Sequence, residues 1–252
     1  MHTAPASSQR HLRVMTYNIQ SGGGDLARVA AVIRAANPDL AALQEVDVHW
    51  ADRSAFVDEA EALSSQLGMQ VRFARIYRLP PLTQGQPMRE FGVALLSKLP
   101  IVEFRNDSLT RLSTQEEHPV PTRMPGLLEA FADVNGVRVR VFDTHLDYRA
   151  DPAVRTQQVA EMLARIDSSR TPTIVFGDLN AGPQSAELQP LLARLHDTWP
   201  AGDGPGFTYP ATAPAKRIDY VLTSPDFRVV HAEVLATAAS DHRPLVVDLR
   251  MN

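Results

Sequence analysis

The stretch TIVFGDLN, residues 173–180, shows the pattern from which the fold of this chain is predicted. It opens with four β-branched or aromatic residues, and Asp178 and Asn180 follow directly after Gly177. A short apolar run of β-branched residues that is bounded by turn residues is typical of a buried strand. The stretch therefore predicts a strand whose carboxyl end carries an acidic and an amide side chain.

The same layout recurs on both sides of this stretch. Apolar runs that end in polar residues lie at 13–19, 39–46, 92–97, 137–146, 218–222 and 245–249, with a further strand at 127–134. Apolar residues at helical spacing predict helices at 25–36, 58–67 and 152–166. Strands that alternate irregularly with helices predict an α+β fold, in which two packed mixed β-sheets carry helices on their outer faces.

Three segments are interpreted as irregular structure. Segments 79–90 and 103–126 are rich in proline and polar residues, which predicts long surface loops. The run Gly22-Gly23-Gly24 lacks the residues of a phosphate-binding loop and predicts a flexible loop.

We expect residues 1–10 to form a disordered leader or an expression remnant, and residues 11–252 to form a single catalytic domain.

Composition narrows the class of protein. The 252 residues are 44% hydrophobic and 21% charged, which is typical of a globular protein, and no run of about 18 apolar residues predicts a membrane span. Cysteine is absent, which excludes disulfide scaffolds, zinc–thiolate sites and cysteine nucleophiles. The net charge of −4 gives no general attraction to nucleic acid. We expect a cytoplasmic protein, with removal of a secretory signal as the alternative.

Acidic, amide and histidine side chains at the strand ends are the candidate functional residues. They are Asn18, Glu45, His145, Asp178, Asn180, Asp219, Asp241 and His242. Taken singly, each also fits a turn, a helix cap or a surface position, so the interpretation depends on all of them together. Hard oxygen ligands without cysteine favour Mg²⁺, Mn²⁺ or Ca²⁺ over structural zinc. The set is suited to metal-assisted phosphoester hydrolysis.

The sequence resembles the endonuclease/exonuclease/phosphatase family, whose members are metal-dependent phosphohydrolases with a deoxyribonuclease I-like fold. The resemblance lies, in family order, in the segments TYNI (16–19), LQEV (43–46), GVALLS (92–97), THL (144–146), GDLN (177–180), RIDY (217–220) and SDHRP (240–244). It implies a four-layer α/β/β/α sandwich with the site at one rim of the paired sheets. It also implies a magnesium cofactor, with Mn²⁺ as a substitute and Ca²⁺ as an alternative.

The resemblance also implies a metal site. Glu45 corresponds to the principal ligand, with Asn18 beside it and Asp241 close enough to assist.

Further positions correspond to catalytic and substrate-binding residues of the family. Asp178 corresponds to the residue that orients or deprotonates the attacking water, and Asn180 to one that holds phosphate or water. His242, oriented by Asp219, and His145 correspond to phosphate-contacting histidines. The resemblance leaves open whether Asp178 or the His242–Asp219 pair acts as the base. Three arginines are candidates for binding substrate: Arg53, Arg123 and Arg149.

Two departures from the family pattern bear on the substrate. Many nucleases of the family carry a second acid where this chain has Gln20, and abasic-site repair enzymes carry lysine where it has Asp47. We therefore expect a monomeric phosphodiesterase that hydrolyses a small-molecule or lipid-headgroup phosphoester by attack of water, in preference to DNA. The alternatives are a DNA endonuclease or exonuclease, abasic-site or non-specific, and a catalytically silent binding protein of the same fold.

Overall fold

The computed structural model describes residues 10–199 and 204–252, so the leader predicted at residues 1–10 lies, except for Arg10, outside the described residues. The strands are β1 (His11–Asn18), β2 (Leu40–Val48), β3 (Gln70–Leu79), β4 (Arg89–Ser97), β5 (Ile101–Arg111), β6 (Thr122–Val134), β7 (Val137–His145), β8 (Thr173–Asp178), β9 (His196–Asp197), β10 (Asp219–Thr223), β11 (Phe227–Val234) and β12 (Leu245–Met251). The helices are α1 (Leu26–Ala36), α2 (Glu59–Leu67), α3 (Ala153–Ile166) and α4 (Gln189–Arg194).

The strands form two mixed sheets of six strands each. The first has the order β11-β12-β1-β2-β4-β3 and the second β5-β6-β7-β8-β10-β9. One pair in each sheet is parallel, β1 with β2 and β7 with β8. Parallel neighbours end at the same edge of a sheet, so each parallel pair brings two carboxyl ends together.

The alternation of side chains along each strand supplies three apolar layers. In β1, Val14 points into a core shared with Ile174 of β8, whereas Met15 packs on the other face with Ile33 of α1. Helices α1 and α2 cover the outer face of the first sheet, and α3 and α4 cover that of the second. The four-layer α/β/β/α sandwich is thereby confirmed.

The prediction of a loop over 103–126 was wrong. Most of this segment belongs to β5 and to the start of β6, and only residues 112–121 connect them. The prediction for 79–90 was correct only for residues 80–88, between β3 and β4. Strand β5 lies at a sheet edge, where polar side chains are solvated, so it lacks the apolar run that marks a central strand.

The glycine run at 22–24 is a tightly packed turn rather than an open loop. Ser21–Gly24 forms a 3-10 turn in which Gly22 and Gly23 have φ of 71° and 54°. A Cβ atom on Gly23 would lie 2.5 Å from the backbone oxygen of Ala239. Within the described residues, none of the helices has the length and apolarity that a bilayer crossing requires.

Candidate active site

The polar side chains at the strand ends meet at one edge of the sandwich. Asn18 ends β1, and Glu45 lies in the parallel neighbour β2. In the second sheet, His145 ends β7 and is in register with Asp178, which ends β8. Asp219 begins β10 opposite Asp178, because β10 runs antiparallel to β8. Strand direction and register therefore place these five side chains on one rim.

Glu45 owes its position to an irregularity in β2. The register between β2 and β4 shifts between Leu43 and Val46, and Glu45 has a φ of 57°. This left-handed conformation is uncommon for residues other than glycine, and such backbone strain often accompanies functional sites. The bulge leaves Glu45 half-buried at the rim while Gln44 points inward, where its amide donates to Asp143 Oδ1 at 2.7 Å.

The side chain of Asn18 connects the two sheets. Its Nδ2 donates to Glu45 Oε1 at 2.9 Å and to Asp178 Oδ2 at 3.1 Å. Its Oδ1 accepts from the backbone N–H of Gln20 at 3.0 Å. Only the nitrogen of the amide can donate to two carboxylates, so this network fixes the orientation of the group.

His242 is buried and held by a carboxylate. Its Nδ1 lies 2.9 Å from Asp219 Oδ2, and the ring packs against Tyr209 with a centroid separation of 4.7 Å. Burial disfavours the charged imidazolium, but the carboxylates of Asp219, Asp178 and Asp241 outweigh it and raise the pKa of His242 to about 9. A protonated His242 then presents Nε2–H on the side of Asp178.

Asp178 lies at the centre of the group. Burial, followed by the charge of Asp219, raises the pKa of Asp178 to about 6, against the opposing effects of the two histidines. Its Oδ2 lies 3.6 Å from His145 Nε2 and 3.7 Å from His242 Nε2. Its Oδ1 accepts from the backbone N–H of Asn180 at 3.0 Å, and Asn180 Nδ2 donates to the backbone oxygen of Leu146.

Two carboxylates of the rim have no basic partner. Glu45 and Asp241 form no ion pair with lysine or arginine among the described residues. Burial raises the pKa of Asp241, and the charge of Glu45 raises it further. Neighbouring carboxylates that have no lysine or arginine partner among the described residues fit the hard donor set of a divalent cation, although Asn18 presents its nitrogen rather than its oxygen to Glu45.

A second group has metal-ligand chemistry. Ligand-type atoms of Asp178, Asp219 and His242 all lie within 4.8 Å of one another. Asp219 Oδ1 is buried and has no hydrogen-bond partner, but Asp219 Oδ2 is already hydrogen-bonded to His242 Nδ1. In this group one carboxylate is already hydrogen-bonded to the histidine, whereas Glu45 and Asp241 accept from the neutral side chains of Asn18 and Ser240.

The three candidate arginines occupy different places. Arg149 lines the same cavity as Glu45 and His145, where it is paired with Asp147. Arg53 is paired with the buried Asp47 and lines a separate depression. Arg123 is exposed and paired with Glu161 at 2.8 Å, and it is not among the residues that line either cavity. The fold thus brings Arg149 into the cavity and Arg53 beside it, where the guanidinium lies 5.7 Å from the ring centroid of Phe91, but it does not bring Arg123 there.

Sequence reasoning missed several polar residues of the cavity, among them Arg111 and Gln158. Arg111 ends β5, so it has the same strand-end position as the predicted residues, but it lay in a segment taken for a loop. Gln158 lies on the buried face of α3, one residue before the apolar Val159. Its position in the buried stripe of a helix was the signal that could have identified it.

Known structures share this architecture. An endonuclease/exonuclease/phosphatase from Beutenbergia cavernae DSM 12333 is 28% identical, with a TM-score of 0.77 over 96% of this chain and 72% of that one. The human nocturnin catalytic domain, with bound sulfate, is 22% identical, with a TM-score of 0.75 over 98% and 97% of the two chains. The mannosyl-6-phosphatase of Bacteroides thetaiotaomicron VPI-5482 is 18% identical, with a TM-score of 0.70 over 94% and 99%.

Sequence comparison gives the family directly. No curated protein matches the sequence. The family model described as the endonuclease/exonuclease/phosphatase family matches residues 15–242, a span that runs from β1 to His242 and includes every strand-end residue described above. The chain therefore belongs to the endonuclease/exonuclease/phosphatase family.

Proposed function

We propose that the protein is a magnesium-dependent phosphodiesterase that hydrolyses a small-molecule or lipid-headgroup phosphoester by attack of water. One observation carries the proposal. The Nε2 atoms of His145 and His242 both lie within 3.7 Å of Asp178 Oδ2, and Asn18 links Asp178 to Glu45. A potential base, two potential phosphate donors and a cation ligand therefore share one rim.

Glu45, Asn18 and Asp241 are the residues that would hold the cation. When bound there, Mg²⁺ supplies Lewis-acid stabilisation of negative charge on the phosphoryl oxygens. The fit rests on the carboxylates of Glu45 and Asp241, which have no lysine or arginine partner among the described residues. Asn18 would join them by turning its amide, because its Nδ2 now donates to Glu45 and its Oδ1 accepts from Gln20.

The pKa values of Asp178 and His242 suit them to different roles in proton transfer. Asp178, with a pKa of about 6, is ionised at neutral pH yet basic enough to take a proton from the attacking water. His242, with a pKa of about 9, already carries its proton at neutral pH and acts as a donor to a phosphate oxygen. This difference favours Asp178 as the base, with Asp219 fixing the imidazole and His145 supplying a second contact to phosphate.

The size of the cavity supports a small substrate. The space lined by Glu45 and His145 has a volume of about 210 Å³, which suits a compact group rather than an extended surface. Two structural neighbours are named as phosphatases. One is the mannosyl-6-phosphatase, and the other is ANGEL2, named as a 2′,3′-cyclic phosphatase, which is 17% identical.

Hydrolysis of bis-(p-nitrophenyl) phosphate tests the proposal. We expect activity that EDTA abolishes and that Mg²⁺ or Mn²⁺ restores. Glu45→Ala and Asp178→Asn should each lower turnover by about 10²–10³, the typical cost of losing one preorganised charged group. Glu117→Gln, in the exposed connection between β5 and β6, is the matched control and should retain full activity.

Two results would contradict the proposal. Activity of the Glu45 and Asp178 variants equal to that of the unaltered protein would remove the assigned site. Nicking of supercoiled plasmid with a steep dependence on salt, together with no hydrolysis of small phosphoesters, would instead assign a nuclease.

A further inference from the structure

The cavity at the catalytic rim extends beyond the residues assigned to hydrolysis. Glu45 and His145 line part of it. Further walls are contributed by Tyr77, Phe91, Arg111 and Gln158. None of these four has a role in the reaction proposed above, so their chemistry bears on what else the cavity accepts.

Arg111 brings a buried positive charge to these walls. Its side chain is only 6% exposed, and it donates to the backbone oxygens of Pro125, His145 and Gly126 at 3.1, 2.7 and 3.0 Å. Its one other hydrogen bond, at 3.3 Å, goes to the hydroxyl of Thr144. Burial lowers the pKa of Arg111 to about 10, which still leaves the guanidinium charged at neutral pH.

No carboxylate neutralises this charge by direct contact. Among the described residues, every acceptor of Arg111 is neutral, and its Nη1 makes one hydrogen bond although it carries two N–H groups. Asp147 also lines the cavity, but it forms its ion pair with Arg149. The charge of Arg111 therefore remains available to an anion, and buried charges are normally paired.

Gln158 supplies a second, independent sign of a ligand. The residue is 0% exposed, and its Oε1 accepts from the backbone N–H of Asp147 at 3.0 Å. Its Nε2 is buried and has no hydrogen-bond partner. A buried donor without an acceptor carries the full cost of its desolvation, which an oxygen atom of a ligand in the cavity would offset.

Another part of the cavity wall is aromatic. Tyr77 and Phe91 have ring centroids 6.1 Å apart, and Trp50 packs against both. The hydroxyl oxygen of Tyr77 accepts from the backbone N–H of Thr114 at 2.9 Å, which leaves its own proton free to be donated. A carbon skeleton against these rings would carry its charged group towards Arg111 and Gln158.

On the basis of the proposed function, we propose that Arg111 and Gln158 bind a second, non-scissile anionic group of the substrate. The group is a phosphate or a carboxylate, and its two or more oxygens suit the free N–H groups of a guanidinium and an amide. The substrate would then be a phosphoester with two anionic groups on a short skeleton. Both residues would determine specificity without taking part in the hydrolysis itself.

Calorimetric binding of three matched ligands tests this proposal on the full chain in the presence of Mg²⁺. Glycerol 3-phosphate has one anionic group, glycerol 1,3-bisphosphate adds a second phosphate, and 3-phosphoglycerate adds a carboxylate. We expect one or both of the doubly anionic ligands to bind at least about tenfold more tightly than glycerol 3-phosphate. The one that gains more identifies the second group.

The key variant is Gln158→Glu, which keeps an oxygen for the N–H of Asp147 and replaces the unpaired donor by a negative oxygen. We expect it to remove the preference for doubly anionic ligands. Gln158→Met removes the donor without adding charge and should reduce the same preference. The matched control is Gln157→Glu, because Gln157 is exposed on the same helix and undergoes the same change of charge.

The outcomes separate this proposal from the proposed function. Equal affinity for the three ligands, no binding of any of them, or an unchanged preference in both Gln158 variants would overturn the anion site. Any of these results stands independently of whether bis-(p-nitrophenyl) phosphate is hydrolysed. A tenfold preference that Gln158→Glu removes, in a protein that hydrolyses no phosphoester, would support the anion site and overturn the phosphodiesterase.

Discussion

Asp219 shows how one side chain acts through another at this site. It is buried, and its Oδ2 holds His242 Nδ1 at 2.9 Å, while the charges around His242 keep the imidazole protonated. A carboxylate in this position fixes the orientation of the ring and stabilises its positive charge. Its contribution to catalysis should therefore disappear when the histidine is absent.

We expect Asp219→Asn to lower kcat for bis-(p-nitrophenyl) phosphate by about 10²–10⁴, because the amide does not supply the charge that keeps His242 protonated. The check is a double-variant cycle with His242→Gln. If Asp219 acts through His242, Asp219→Asn adds little to the loss already caused by His242→Gln. Fully additive losses would show that Asp219 has a separate role.

Asn18, Glu45, His145 and Asp178 could be predicted because each follows an apolar run that ends at the same edge. Arg111 also ends a strand, but β5 has alternating polar residues, so the strand and its terminal residue were both overlooked. The pairings of Arg53 with Asp47 and Arg123 with Glu161 were not predictable either. Ion pairs between residues distant in sequence depend on the tertiary fold, which local patterns do not encode.

At the level of elements, the predicted strands are central and the overlooked ones lie at edges. Strands β1, β2, β7 and β8 are buried on both faces and show as apolar runs. Strands β3, β5 and β11 are sheet edges, where charged and polar side chains are tolerated. Helices α1 and α2 were predictable because a side chain caps them at Asp25 and Asp58, and their apolar faces repeat at helical spacing. The short α4 was not predicted, and no side chain caps it.

The turn before α1 supports the strand-end loop that carries Asp241 and His242. Gly23 has a φ of 54°, and a Cβ atom there would lie 2.5 Å from the backbone oxygen of Ala239. We expect Gly23→Ala to lower the free energy of unfolding by about 1–3 kcal/mol and to weaken activation by Mg²⁺, because the loop must move.

Gly68→Ala is the control for this prediction. Gly68 has a similar φ of 65° at the end of α2, but nothing lies within 4 Å of the added Cβ atom. It should lose stability through backbone strain alone and keep its response to Mg²⁺. Urea unfolding and a Mg²⁺ titration of activity measure both effects, and equal metal responses of the two variants would refute the proposed support.

A buried ion-pair network connects β6, β7 and α3. Glu129 accepts from Arg140 Nε at 2.6 Å and from Arg165 Nη2 at 2.6 Å, and both Glu129 and Arg140 are almost fully buried. We expect Glu129→Gln to lower the free energy of unfolding by about 3–5 kcal/mol, because Arg140 keeps a buried charge without its partner. Glu103→Gln, in an exposed ion pair with Arg105 and Arg138, should change the urea midpoint far less.

For the whole molecule, a buried carboxyl makes stability depend on pH. Glu59 lies under the turn at Gly22, and its Oε2 accepts from the backbone N–H of Asp47 at 2.8 Å. Burial raises the pKa of Glu59 from 4.5 to about 8, and the charge of Asp47 adds to this effect. The folded protein therefore holds this proton more tightly than the unfolded chain does.

The sign of the effect follows from that difference. The stabilising contribution of protonated Glu59 is fully present below a pH of about 4.5 and is lost as the pH rises through about 8. Glu59→Gln removes the titration but keeps an oxygen for the N–H of Asp47. Between pH 5 and pH 8, we expect the urea midpoint of the variant to fall less than that of the unaltered protein. The difference between the two pH dependences should correspond to the release of about one proton. Parallel pH profiles would contradict this assignment.

The amide of Asn18 has a consequence for the sandwich as a whole, because it joins a carboxylate of each layer. Its two hydrogen bonds hold only while the layers keep their present offset, and that offset is set by the apolar packing between them. A shortened side chain deep in this packing, such as Val221→Ala, would let one layer slip against the other while the chain stays folded. Turnover would then depend on the packing of core residues that contact no substrate. In such a variant, turnover would fall while the protein remains folded.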